Sequence, residues 1–206
     1  MRSEDLQQVR PGFDDAALGS QAVFRQALQA LSLPGRVVEL PAVAQLPSRG
    51  QGAAALLLLA LLDSDCTLWL SPSLAGSDAE AWLRFHTGCR CVAAPQQARF
   101  LWLAAGDAWP SLTQLALGSD EYPDQSATCV LEVGVLQGDA GDELRLTGPG
   151  IRDEACLRVA GLPADFAEQW AANHAAFPRG VDAFLASGVR VVGLPRSTRV
   201  QSMVEA

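Results

Sequence analysis

Phe177-Pro178-Arg179-Gly180-Val181-Asp182 begins the stretch whose reading decides the fold, and Val189-Arg190-Val191-Val192-Gly193-Leu194-Pro195-Arg196-Ser197-Thr198-Arg199 completes it. Pro178 fixes one φ and Gly180 frees another, so the first segment reads as a turn. Residues 181–185 then predict a helix of less than two turns, which Gly188 terminates. Residues 189–194 are β-branched and apolar, the pattern of a buried strand. Pro195 has no donor for a ladder, so pairing is expected to stop there. Beyond it come a guanidinium, two hydroxyls and a second guanidinium, at the end of a rigid element where α/β proteins carry sites. The planar fork of arginine can hold a phosphate or carboxylate through two parallel bonds. The same residues allow a structural reading, in which Arg196 or Arg199 pairs with Asp182 and caps the sheet.

The rest of the composition bounds what such a cluster could serve. The chain has 206 residues, enough to bury a sizeable core, and 49% are hydrophobic, which argues against disorder. The formal charge of −8 opposes non-specific nucleic-acid binding, which needs a basic face. All fifteen basic residues are arginine. Without lysine there is no Schiff base to pyridoxal phosphate, no P-loop lysine and no lysine nucleophile. The five cysteines, Cys66, Cys89, Cys91, Cys129 and Cys156, are odd in number and include no CxxC pair. A disulfide framework therefore fits poorly, and Cys89-x-Cys91 lacks the partner ligands of a zinc site. No secretory signal opens the chain, and the longest apolar run, residues 53–62, is half a membrane span. A soluble cytoplasmic protein is expected.

Taken in order, residues 1–12 read as a loose tail and 13–206 as one domain. Val23, Phe24, Leu28 and Leu31 recur at helical spacing until Pro34-Gly35, and residues 36–40 read as a short strand. The run from Gly52 to Leu62 predicts a helix apolar all round, which belongs inside the domain or under a partner. Residues 67–70 predict a strand. Ser77 and Glu80 form a capping-box start to a helix that ends at His86-Thr87-Gly88. Strands are expected at 91–93 and 100–103, and a short helix from Pro110 to Leu117. Residues 128–136 and 143–147 read as an antiparallel hairpin across a five-residue loop. A strand near 157–159 and a helix over 163–174 complete a mixed β-sheet flanked by helices, an α/β fold.

His86 stands at the predicted helix C-terminus with Arg84 and Thr87. There an imidazolium is favoured and can bind an anion or donate a proton; equally, the ring can cap terminal carbonyls. His174, among alanines, reads as structural or solvent-facing. Gly148-Pro149-Gly150 reads as a tight turn more than a phosphate loop, since Pro149 removes a donor and no P-loop lysine follows.

Four stretches together resemble a known family. Phe177-Pro178-Arg179-Gly180-Val181-Asp182 with Pro195-Arg196-Ser197-Thr198 is similar to the C-terminal signature of PhnH, the H subunit of the bacterial carbon–phosphorus lyase system. Phe24-Arg25 with Ser32-Leu33-Pro34-Gly35, Leu83-Arg84-Phe85-His86-Thr87, and Leu144-Arg145-Leu146-Thr147-Gly148-Pro149-Gly150-Ile151 follow the same order. The resemblance implies a truncated relative of the pyridoxal-phosphate-dependent transferase fold that binds no cofactor, assembled as a homodimer. It implies a core assembly with the G, I and J subunits. With G and I, the family supports displacement of adenine from ATP by a phosphonate, giving ribose 1-phosphonate 5-triphosphate. Two roles follow for the chain. One is an accessory subunit. The other is a ligand-binding or catalytic subunit with its own phosphonate or nucleotide site at the dimer interface. The candidate anion-binding or interface residues are Arg84, His86, Thr87, Arg179, Asp182, Arg196 and Thr198; no cofactor or metal ligands are expected.

Overall fold

A computed structural model describes residues 10–41, 43–138 and 141–203. Residues 1–9 of the expected tail, and Asp139-Ala140 of the expected hairpin loop, lie outside the described residues. Among the described residues the first helix is α1 (Ala16–Ser32), for which Asp15 accepts the N–H groups of Ala17 and Leu18 at 3.0 and 2.9 Å. This cap starts the helix at Ala16, ahead of Val23, where the spaced apolar residues begin. There follow β1 (Val38–Glu39), α2 (Gly52–Leu61), β2 (Thr67–Leu70), α3 (Asp78–Thr87), β3 (Arg90–Cys91) and β4 (Phe100–Leu103). The second half holds β5 (Thr128–Glu132), β6 (Val135–Leu136), β7 (Asp142–Thr147), β8 (Ala155–Ala160), α4 (Phe166–Ala175), β9 (Asp182–Ser187), β10 (Arg190–Leu194) and β11 (Arg199–Ser202).

Two sheets result. The larger has the order β1-β10-β9-β5-β4-β2-β3. Strands β9, β5, β4, β2 and β3 run parallel to one another, while β10 and β1 add an antiparallel edge. The smaller is antiparallel, in the order β11-β7-β8-β6. Side-chain alternation sends the two faces of the large sheet into different cores. Leu68, Leu70, Trp102, Val130, Phe184 and Val191 pack beneath α1, α2 and α3. Leu101, Leu103, Cys129, Leu131, Leu185 and Val192 pack against β7, β8 and α4. The mixed α/β architecture is thus as the sequence indicates, with helices on one face and mostly a second sheet on the other.

The apolar helix α2 is buried from Ala53 through Leu59, packed among α1, α3, β5 and β9. Its lack of a polar face reflects a central place in the fold, not a partner surface. Beside it, α1 presents Gly19, Val23, Ala27 and Ala30 to the core. It approaches β10 so closely that a Cβ on Gly193 would stand 2.5 Å from the Ala30 carbonyl carbon.

Four expectations are corrected. The helix over residues 181–185 is strand β9, with Ala183 through Ser187 buried in mid-sheet; a short run buried on both faces has no period by which to tell helix from strand. Gly188, at φ +61°, is therefore a hairpin residue between β9 and β10, not a helix stop. The hairpin of 128–136 with 143–147 does not exist: the chain breaks at Val133-Gly134, β5 joins the large sheet, and β6 and β7 both pair with β8. The helix from Pro110 shrinks to one 3₁₀ turn at Leu112–Gln114. Strand β11, beyond Pro195, was not expected at all.

Candidate functional site

The turn at 177–182 and the segment 195–199 meet at the amino end of the parallel strands, where Asp182 starts β9 and Arg196 follows β10. Asn173 on α4 shapes the turn by taking both main-chain groups of Val181, Nδ2 donating to its carbonyl at 2.9 Å and Oδ1 accepting its N–H at 2.8 Å. Gly180 (φ +130°) is required here, since a Cβ would stand 2.9 Å from Asn173 Oδ1. Its N–H donates to Leu117 O at 2.9 Å.

Arg196 fills the space so enclosed. Nε donates to Asp182 Oδ1 at 3.1 Å and Nη2 to Asp182 Oδ2 at 2.5 Å, the bidentate fork. Nη2 also donates to Ser126 Oγ at 2.5 Å, and Nη1 to Pro123 O at 2.7 Å and Pro178 O at 3.4 Å. Five guanidinium N–H groups meet five acceptors, and the main-chain N–H adds a sixth bond, to Asp182 Oδ1 at 2.8 Å. The two side chains keep only 14% and 26% exposure, so no free face of the fork remains for a phosphate. Thr198 is fully buried, and its Oγ1 has no partner among the described residues. Its carbonyl accepts Trp170 Nε1 at 2.8 Å. His174 Nδ1 lies 3.0 Å from Arg196 O, and Arg199 Nε donates to His174 Nε2 at 3.2 Å, which sets the neutral ring with its proton on Nδ1. Beneath, burial, with the Asp182 charge adding to it, pushes the Cys129 thiol up to about 12, an inert state. Arg179 points outward to Asp120 at 3.3 Å, an exposed pair.

Two of the other three motif stretches, 32–35 and 144–151, converge on the same junction. A Cβ on Gly148 would meet Ser197 O at 2.9 Å, one on Gly150 would run into Ser32 O, and one on Gly35 would meet Leu146 at 2.9 Å. Gly148-Pro149-Gly150 is thus a packing turn wedged between the end of α1 and the 195–198 segment.

Arg84, His86 and Thr87 are elsewhere. They occupy the last turn of α3, which leads into β3, four strand spacings from β9, about 19 Å across the sheet. His86 Nε2 lies 2.9 Å from Arg10 O, with Gly12 against the ring, and the ring meets Trp82 and Phe85 edge-on at 5.3 and 5.0 Å. Thr87 Oγ1 donates to Leu83 O at 2.7 Å and accepts Cys89 N–H at 3.2 Å. Arg84 pairs with Glu80 at 3.5 Å, half exposed.

The carboxyl ends of parallel strands are where α/β folds usually bind ligands. Here those ends are tied to one another. Ser71 Oγ accepts Ala104 N–H at 2.9 Å, and Asp107 Oδ2 accepts the Ser73 N–H and hydroxyl at 2.9 and 2.8 Å. Glu132, only 3% exposed, ends β5; it accepts Gln51 N–H at 2.5 Å, Trp102 Nε1 at 2.8 Å and Ala105 N–H at 3.2 Å. Its carboxylate thereby occupies the N-terminus of α2, where an external anion would otherwise be favoured. Sequence reasoning passed over Glu132, although an acid inside the buried run 128–133 is itself the signal.

The chain matches the family described as bacterial phosphonate metabolism protein (PhnH) over residues 11–201. It is 39% identical over 189 residues to the alpha-D-ribose 1-methylphosphonate 5-triphosphate synthase subunit PhnH of Rhizobium meliloti (strain 1021), covering 92% of this chain and 94% of that one. It is 40% identical over 180 residues to the putative C-P lyase subunit protein HtxG of Stutzerimonas stutzeri, covering 87% and 85%. With a family match that takes in every motif of the junction, the chain belongs to the PhnH family of bacterial phosphonate metabolism proteins.

Proposed function

We propose that this chain is the H subunit of a carbon–phosphorus lyase system, acting with G and I subunits in the formation of ribose 1-phosphonate 5-triphosphate from ATP and an alkylphosphonate. Its part is accessory: it supplies shape and contact surface, and chemistry resides on a partner. The observation that carries the accessory reading is the closure of Arg196, whose five side-chain N–H groups all meet protein acceptors. The self-tied carboxyl ends of the strands support it further, since Glu132 and Asp107 hold the positions where a nucleotide phosphate would seek donors. For the assembly we propose a cytoplasmic homodimer that also meets the J subunit. Consistent with this, no helix among the described residues is long and apolar enough to cross a membrane. For the fold we propose one domain over 13–206, a truncated transferase-like sheet that binds no pyridoxal phosphate. The pairing of β11 with β7 supports the single domain, and the absence of any lysine for an aldimine supports the lack of the cofactor.

The test is adenine release from ATP and methylphosphonate. The isolated chain is expected to release none, the G and I subunits without it none, and the reconstituted set to be active. Release by the isolated chain above a contaminant control would overturn the accessory reading.

A further inference from the structure

Phe177 opens the turn at 177–182, yet its side chain takes no part in closing the junction. It is 61% exposed, and Tyr122, on the facing loop, is 50% exposed. Three ties hold their two segments side by side. Gly180 N–H donates to Leu117 O at 2.9 Å, Arg179 Nε meets Asp120 Oδ1 at 3.3 Å, and Arg196 Nη1 reaches both Pro123 O and Pro178 O. The turn from Ser119 to Tyr122 is closed as well: Ser119 N–H donates to Tyr122 O at 3.2 Å, and Tyr122 N–H to Ser119 Oγ at 2.9 Å. Both aromatic residues therefore stand on neighbouring, pinned backbone, with exposed Pro178 beside Phe177. Asp120, Glu121 and Asp124 around them are exposed too. Arg179 answers Asp120, while Arg99 reaches only the Asp124 carbonyl at 3.2 Å, so the rim stays net acidic.

We propose that Phe177 and Tyr122 anchor a docking surface for a different chain of the phosphonate assembly, one whose face offers an apolar socket rimmed by arginine or lysine. The inference rests on the accessory reading and says where that contact surface lies. Aromatic side chains on fixed backbone lose little freedom when they bind, which is what an interface anchor needs. The acids choose the partner. An isologous contact with a second copy would set these carboxylates against themselves across the two-fold axis. A nucleotide is disfavoured on the same ground, because its phosphates would meet the acids. A basic rim is drawn in by them, and by the net charge of −8. Arg196 thus does more than stabilise: one of its nitrogens fixes the backbone on both sides of the patch.

The test is titration of the labelled full chain with the purified complex of G, I and J subunits, alongside sedimentation of the chain alone. Phe177→Ala should raise the Kd at least about thirtyfold, as for a hot-spot anchor, and Tyr122→Ala about tenfold. Both variants should melt with the parent, since both side chains are exposed. Glu121→Arg should slow association and flatten its salt dependence, and an unchanged salt slope would overturn the basic rim. Leu28→Ala, 51% exposed on α1, should stay within about twofold of the parent; an equal loss there would overturn the claim of a specific anchor. Phe177→Ala binding within about twofold of the parent overturns the proposal and leaves the accessory reading standing. So does loss of self-association by Phe177→Ala, which would make the occupant a second copy. A parent that fails to bind the complex overturns the accessory reading, and the proposal with it.

Discussion

Arg196→Ala tests the junction directly. The substitution removes both arms of the Asp182 fork and leaves Ser126 Oγ and Pro123 O without their charged donor. Breaking a buried pair costs about 3–5 kcal/mol. The lower end applies, about 3 kcal/mol, because Asp182 keeps 26% exposure and the main-chain N–H at 2.8 Å survives the substitution. For a chain of this size about 1 kcal/mol moves the midpoint by 2–4 °C, so thermal unfolding followed by circular dichroism should fall by about 6–12 °C. Arg199→Ala is the control: its one side-chain bond among the described residues is to His174 at an exposed position, and its effect should stay within about 0.5 kcal/mol. A double-mutant cycle with Asp182→Ala should show a coupling of about 1–3 kcal/mol. The reasoning fails if Arg196→Ala melts within a degree of the parent while the assembled complex loses adenine release. That pattern would mean a guanidinium that serves a ligand and not the fold.

Three further outcomes follow from the same contacts. Glu132→Gln should destabilise by about 1–3 kcal/mol, since an amide nitrogen must face one of the three N–H donors now bound by carboxylate oxygens; unchanged chemical denaturation would contradict the reading. Gly193→Ala should cost about 1–3 kcal/mol by prising α1 from β10, and a stabilised variant would show that the helix yields freely. Asp78 gives the pH dependence. Burial pushes its carboxyl up, but bonds from the Ser48 N–H and hydroxyl and the Arg49 N–H outweigh it and hold the group below its ordinary 3.8. A carboxylate depressed on folding stabilises above that ordinary value, and the contribution is lost as pH falls through the folded one. Asp78→Asn should therefore lower stability near neutrality and flatten the acid limb of the melting profile, while an unaltered acid limb would remove Asp78 from the account.

What the sequence by itself determined was local and categorical. The absence of lysine settled which chemistries the chain lacks, without any reference to shape. Pro195 stopped β10, and Ser77 opened α3, because caps and missing donors act within a few residues. The all-apolar run was legible as a buried helix because no polar residue offered an outward face. The motif stretches pointed to the family, since they are residues in order, whatever their role.

Tertiary structure alone decided what those residues do. Residues 182–187 carry no period that separates strand from helix, and only insertion between β5 and β10 makes them β9. Residues 128–132 and 135–136 look continuous in sequence, yet two different sheets claim them, because pairing partners lie up to some 55 residues away. Arg196 could have held a ligand or the fold. The answer lay in Pro123, Ser126 and Pro178, at separations of 73, 70 and 18 residues, which the chain brings round the guanidinium only when the sheet is complete. Charge and hydrogen-bonding capacity are properties of a residue; whether a protein group or an outside molecule satisfies them is a property of the assembled fold.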